Sequence, residues 1–158
     1  MRILVDGDAC PVKEDIVAIA QERSLQLRSG QAIEVIFVIS TASYFDRGWN
    51  VKKIVVDSLP QAVDIAIVNR VEVGDVVVTQ DYGLAALVLG KKGKAISPRG
   101  HLFTDENIDR MLHRRHLHYE ARKAGIRVKG PKKRSEKDET RFRRNFTRLL
   151  DECQKSEP

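Results

Sequence analysis

The chain is expected to fold as an α/β protein with a mainly parallel sheet covered by helices on both faces. Ile3-Leu4-Val5, Ile33 to Ile39, Val51 to Val56 and Val76-Val77-Val78 are short, largely apolar runs, the pattern of strands that are buried on both sides. Segments of helical period separate most of these runs, so the connections read as the crossovers that parallel neighbours need. Aspartates follow directly or closely where three of the strands run out, at Asp6, Asp57 and Asp81. Parallel strands present their carboxyl ends on one side of a sheet, and ligands of open α/β sheets sit in the crevice there.

The elements follow in order. Ile3-Leu4-Val5 leads into the turn Asp6-Gly7-Asp8, in which Gly7 avoids a Cβ clash and Pro11 suits the first turn of a helix. Val12 to Leu27 places Val12, Ile16, Ile19, Ala20 and Arg23 at helical intervals. Glu14 and Asp15 favour its start, Arg28 its end, and Gly30 stops it. Ser40 to Asn50 is expected to be a loop with a helical turn. Ser58-Leu59-Pro60-Gln61 has the S-x-x-Q form of a capping box, predicting a helix from there with Leu59, Ala62, Val63, Ala66 and Ile67 on its apolar face. Tyr82 to Leu89 reads as a short helix and Lys94 to Ile96 as a last strand. Asp105 to Ala124 is a helix with acidic residues first and basic ones last, capped by Thr104 and ended by Gly125. Asp138 to Cys153 is an amphipathic helix carrying Phe142, Phe146, Leu149 and Leu150 on one side. The expected organisation is a core over residues 1–100, a basic helical extension packed on it over 101–153, and a frayed tail over 154–158.

Composition narrows the function classes. No apolar run approaches the roughly 20 residues that span a bilayer, and a charged turn arrives too early for a signal peptide, so a soluble cytoplasmic protein without membrane contact is expected. Cys10 and Cys153 have no metal-type spacing, and Cys10 reads as a small buried residue among acidic neighbours. The net charge of +6 hides an asymmetry: residues 1–90 hold 8 Lys/Arg against 12 Asp/Glu, and residues 91–158 hold 20 against 10. An acidic front thus gathers cations while a basic back suits a polyanion.

Asp6, Asp8, Asp64 and Asp81 form an all-oxygen donor set suited to Mg²⁺ or Mn²⁺, one ion or two. Asp64 stands out because it interrupts an apolar helix, where an unpartnered carboxylate is costly. Its bland counterpart, that these aspartates cap helices and solvate strand ends, accounts well for Asp8 and Asp57 and poorly for Asp64. In the metal reading Asp6 and Asp81 ligate directly, Asp8 and Asp64 directly or through water, and Ser40, Thr41 and Thr79 orient water or phosphate. His113, His116 and His118 lie beside Arg114 and Arg115, which repel a cation, so they read as a solvated or phosphate-facing surface. Arg114, Arg115, Arg122, Lys123, Lys132, Lys133, Arg134, Arg141 and Arg144 are the candidate nucleic-acid contacts, directed at phosphates with little sequence preference. Truncation after Ala124 is expected to weaken such binding and flatten its salt dependence.

With these residues in view, the chain resembles the YaiI/YqxD family of bacterial proteins, itself similar to the PIN-like nuclease superfamily. VDGDACPVK at the start, Ala62-Val63-Asp64, GDVVVTQDYGLAALVL from Gly74 to Leu89, Asn107 to Asp109 and the late GPKKRSEKDETRF carry the likeness. The resemblance implies a PIN-like three-layer sandwich and a Mg/Mn-dependent nuclease acting on RNA, with Asp6, Asp64 and Asp81 in the family's acidic positions and Asp8 as an extra acid. Many PIN-like nucleases place Glu where this chain has Asp64, whose reach is shorter. Two alternatives stay open: a non-catalytic RNA-binding or adaptor protein, and a haloacid-dehalogenase-like phosphatase. The latter shares an hhhDxD motif, but here Ala9-Cys10-Pro11 follows it and there is no room for a cap domain.

Overall fold

β1 (Arg2–Asp6), β2 (Glu34–Ser40), β3 (Lys52–Val56), β4 (Val76–Val78), β5 (Lys94–Ile96) and β6 (Leu102–Phe103) form one sheet in the order β3-β2-β1-β4-β5-β6. The structure is a computed structural model and describes residues 1–27 and 30–156; Arg28, assigned above to a helix end, lies outside the described residues. The first five strands run parallel, and β6 returns antiparallel to β5. β6 goes unread in the sequence because two residues are too few to show a period.

Alternation along each strand sorts the core into two layers. Ile3, Val5, Phe37, Ile39, Val76 and Val78 face α1 (Lys13–Gln26) and α5 (Glu136–Ser156). Leu4, Ile36, Val38, Val77 and Ala95 face α2 (Ala62–Arg70), α3 (Tyr82–Gly90) and α4 (Asp105–Lys123). The result is a three-layer α/β sandwich, as the apolar runs require. Thr104 caps α4 through a capping box with Asn107, and Gly125 follows it at φ +80°. The loop after β2 holds one 3-10 turn, Thr41–Ser43, and is tied down by Phe45 and Trp49, whose ring centroids lie 5.3 and 6.2 Å from that of Phe37.

One local expectation fails. α2 starts at Ala62 after Gln61 in the left-handed region, with no side-chain cap. Ser58 instead turns its hydroxyl to the Thr41 hydroxyl at 2.7 Å and accepts the Ala42 N–H at 3.1 Å. The strand-to-strand partner outcompetes the cap because β2 ends next to β3. Leu59, assigned to the helix's apolar face, is 68% exposed.

α5 is built into the core. Phe142, Phe146 and Leu150 are fully buried, and the two phenyl rings stack at 5.1 Å. Gly100, at φ +84°, lets its loop approach so closely that a Cβ would lie 2.5 Å from the Phe142 nitrogen. Asn145 donates to the Gly100 carbonyl at 2.8 Å. Buried Asp138 accepts from the Ser135 N–H, Arg99 and Arg141, and these bonds hold its carboxyl below the usual carboxylate range, the Ser135 N–H most of all. The helix continues to Ser156, past the Cys153 end read from its apolar spacing. At the other end of the sheet, Arg2 grips buried Asp75 with two bonds of 2.6 and 3.2 Å, joining the starts of β1 and β4.

Phe146→Ala is expected to lower unfolding free energy by about 3–5 kcal/mol in urea titration, the cost of emptying an aromatic core site. Truncation after Ala124 removes one side of the α1 layer, so a cooperative unfolding transition should be lost; it therefore reads stability and is unsuited to testing nucleic-acid contact.

Candidate active site

Period two along β1 sends Asp6 to the same face as Leu4, towards α2 and α3. There Asp6 is half-buried, and its Oδ2 accepts the Thr79 hydroxyl at 3.1 Å. Burial raises its carboxyl above the ordinary value, and the charges of Asp8 and Asp81 push the same way. The Thr79 bond and the Asp8 backbone N–H pull against them. Thr79 is 1% exposed and also accepts the Asp81 N–H at 3.0 Å, so one hydroxyl locks the end of β1 to the start of α3.

Asp81 caps α3, its Oδ1 accepting the Leu84 N–H at 3.0 Å. Asp64, in the first turn of α2, lies beside the buried face made by Val63, Ala66 and Ile67. Its carboxyl is pushed up to about 6, by burial first and then by Asp81 and Asp6, with Arg115 opposing. Three acids from separate parts of the chain, one at the end of strand β1, one after β4 and one in α2, thus sense one another.

Asp8 and its neighbours brace the rim. Asp8 is exposed, and its Oδ1 accepts the Ser40 backbone N–H at 2.7 Å. Gly7 donates to the Val38 carbonyl at 2.9 Å, and a Cβ on it would collide with Ile39 Cγ2. That close approach brings the acidic turn against the end of β2. Ser40 is buried, whereas Thr41 is spent on Ser58. Asp57 does not join the acids: it follows edge strand β3, two positions from β1, and is exposed. Among the described residues no three His, Cys, Asp or Glu side chains form a group able by itself to hold a metal ion. Cys10 is buried, and burial pushes its thiol up to about 11, which removes it as a nucleophile at neutral pH.

The basic residues divide. Arg134 donates to the Pro98 carbonyl and Arg141 to Asp138 and the Arg99 carbonyl, so both help to seat α5. Arg114, Arg122, Lys123, Lys132, Lys133 and Arg144 are exposed, as are His113, His116 and His118. From His113 to Glu120 every residue of α4 is exposed, leaving its second half a basic arm with Leu117 and Tyr119 also uncovered. Arg115 behaves differently, its Nη1 lying 3.6 Å from Asp81 Oδ1. Its membership in the acidic site is missed by charge counting, yet a signal exists: Ile108, Met111, Leu112 and Arg115 form one stripe, and the first three are buried or half-buried.

No helix among the described residues is long and apolar enough to cross a membrane. Residues 4–152 match the model of an uncharacterized family, YaiI/YqxD. The chain is 47% identical over 152 residues to a UPF0178 protein of Exiguobacterium sibiricum, covering 96% of this chain and 98% of that one. It is 43% identical over 150 residues to a UPF0178 protein of Clostridium kluyveri (95% and 93% covered) and 42% identical over 151 residues to one of Alkaliphilus metalliredigens (96% and 92% covered). No solved structure matches. Matching over nearly its whole length, with relatives of almost the same extent, the chain belongs to the uncharacterized YaiI/YqxD family, whose curated members bear the name UPF0178.

Proposed function

We propose that the protein is a Mg²⁺- or Mn²⁺-dependent nuclease of PIN-like type acting on RNA, with Asp6, Asp64 and Asp81 as its acidic site and Asp8 at the rim. The observation that carries the reading is that carboxylates from separate parts of the chain meet half-buried: burial first, and then their charges on one another, lift Asp64 to about 6 and Asp6 above its ordinary value. Half-buried acids that raise one another are what a hard cation neutralises, and an all-oxygen donor set fits Mg²⁺ or Mn²⁺ better than zinc. Asp81 Oδ1 already accepts the Leu84 N–H and faces Arg115 at 3.6 Å, so its other oxygen is the one offered to an ion. A bound ion supplies activation of water and charge neutralisation at a phosphodiester. The chain's own contributions are distinct. Asp6 is held in place by Thr79, Asp81 is oriented by the cap of α3, and Asp8 braces the entrance through Ser40. The exposed cations of α4 offer contacts to the phosphates of a bound strand.

A second reading, a nucleic-acid-binding protein without catalysis, is favoured by the lack of a ready-made metal-holding group among the described residues. Incubation with single-stranded RNA and Mn²⁺ separates the two. Metal-dependent cleavage, reduced at least about 100-fold by Asp6→Asn, supports the nuclease. Binding without cleavage supports the second reading, and turnover of small phosphomonoesters alone points to the phosphatase alternative.

The acidic site also has a stability signature. Asp64 has a folded-state value near 6 against an ordinary 3.8, so its favourable contribution is complete below about pH 4 and lost as pH rises through 6. Asp64→Asn should therefore raise Tm at pH 8 in chelator by about 2–4 °C, equivalent to about 1 kcal/mol after discounting for solvent contact, and leave it nearly unchanged at pH 4. The basic arm is checked by a salt series on Arg114→Ala/Arg122→Ala/Lys123→Ala. The slope of log affinity for single-stranded RNA against log salt should flatten by about 2; an unaltered slope removes the arm from the binding surface.

A further inference from the structure

α4 packs on the body by one stripe and then runs on with that stripe uncovered. Ile108, Met111 and Leu112 are buried or half-buried, and Arg115, Tyr119 and Arg122 continue the same face at intervals of three and four residues, all three exposed. Arg115 marks where this face looks: its Nη1 lies 3.6 Å from Asp81 Oδ1, at the carboxyl ends of the central strands. Helical side chains lean towards the helix N-terminus, so the patch that Tyr119 covers lies over the turn carrying Arg115. Tyr119 is 59% exposed, and its ring and hydroxyl engage no partner among the described residues. An aromatic ring thus stands uncovered between two guanidiniums on one side of a helix.

The charge around this face selects its occupant. Residues 110–133 hold nine Lys/Arg, every one exposed, against a single acid, Glu120. A second copy of the arm would set like charge against like, whereas a polyanion is matched along its length. The ring adds a demand that phosphates alone do not meet, a π-face to lie against. Double-stranded RNA keeps its bases stacked in a groove that side chains cannot read, while a single strand offers them unstacked to aromatic side chains. We infer that Arg115, Tyr119 and Arg122 form a binding track for single-stranded nucleic acid, in which Tyr119 stacks on a base and the two guanidiniums take the phosphates on either side. The inference rests on the nucleic-acid-binding part of the reading above and requires neither a metal ion nor catalysis. One end of the track lies beside Asp81, so a strand held on it runs to the carboxyl ends of β1 and β4.

Fluorescence anisotropy with a labelled, unstructured single-stranded RNA, the full chain and chelator present throughout, tests the track. Tyr119→Ala should weaken binding about five- to 100-fold, the range of one lost base–aromatic stack, and Tyr119→Phe should stay close to the parent chain. Tyr119→Ala should keep the parent's salt dependence, whereas Arg122→Gln should flatten the slope of log affinity against log salt by about 0.7, the share of one phosphate contact on a single strand. On an abasic strand of the same length, parent and Tyr119→Ala should bind alike. Equal affinity of parent and Tyr119→Ala for the RNA overturns the stacking and leaves the nucleic-acid reading standing. A loss that persists on the abasic strand, or one as large in Tyr119→Phe, also overturns it, because the base or the ring is then not what Tyr119 holds. A parent dimer in sedimentation that Tyr119→Ala splits gives the face to a second copy and overturns it as well. Failure of the parent itself to bind the RNA overturns both the track and the nucleic-acid reading beneath it.

Discussion

A strand buried on both faces has no place for a charge except at its ends, and this constraint organises the molecule. β1 lies in the middle of the sheet, with Ile3, Leu4 and Val5 fully buried. Its carboxyl end is the first point where the chain can carry an ionisable group without a large desolvation cost. Alternation sends Asp6 to the α2/α3 side, and parallel pairing with β4 brings Thr79 within bonding distance of it. The opposite end obeys the same rule: Asp75 is tolerated in a buried position because Arg2 neutralises it with two bonds.

The two ends resolve buried charge in different ways. Asp75 has a dedicated guanidinium and serves as structure. Asp6, Asp64 and Asp81 share one loosely held guanidinium among three carboxylates, so negative charge is left over. Charge of one sign gathered among half-buried groups weighs against folding. Thr79 and the α3 cap keep the acids in place despite that repulsion, each through a single well-formed hydrogen bond.

The basic half of the chain has two physical roles. α5 contributes phenylalanines to the core and fastens itself to the loop of residues 97–101 through Arg134, Arg141, Asn145 and the close approach at Gly100. α4 packs only its first half on α3 and then runs out with its cations uncovered. A run of Lys and Arg in the text therefore mixes guanidiniums that seat a helix with guanidiniums that face solvent. Burial and carbonyl partners tell them apart; charge counting does not.

Much of this was present in the amino-acid order itself. Uninterrupted apolar runs separated by helical periods determined the layered α/β class, and Asp64 declared itself by standing in an apolar helix. Thr104 was recognisable as a cap because capping is settled within four residues. What the tertiary structure alone decided depends on distance along the chain. Strand order excludes Asp57 from the acids, since it follows the edge strand β3 and not a neighbour of β1. Proximity of β2 to β3 takes Ser58 from its own helix. Packing of α4 on α3 points Arg115 at Asp81. Period and capping are local and leave their trace in neighbouring residues, whereas these three outcomes are set by which segments meet, a property that no window of sequence contains.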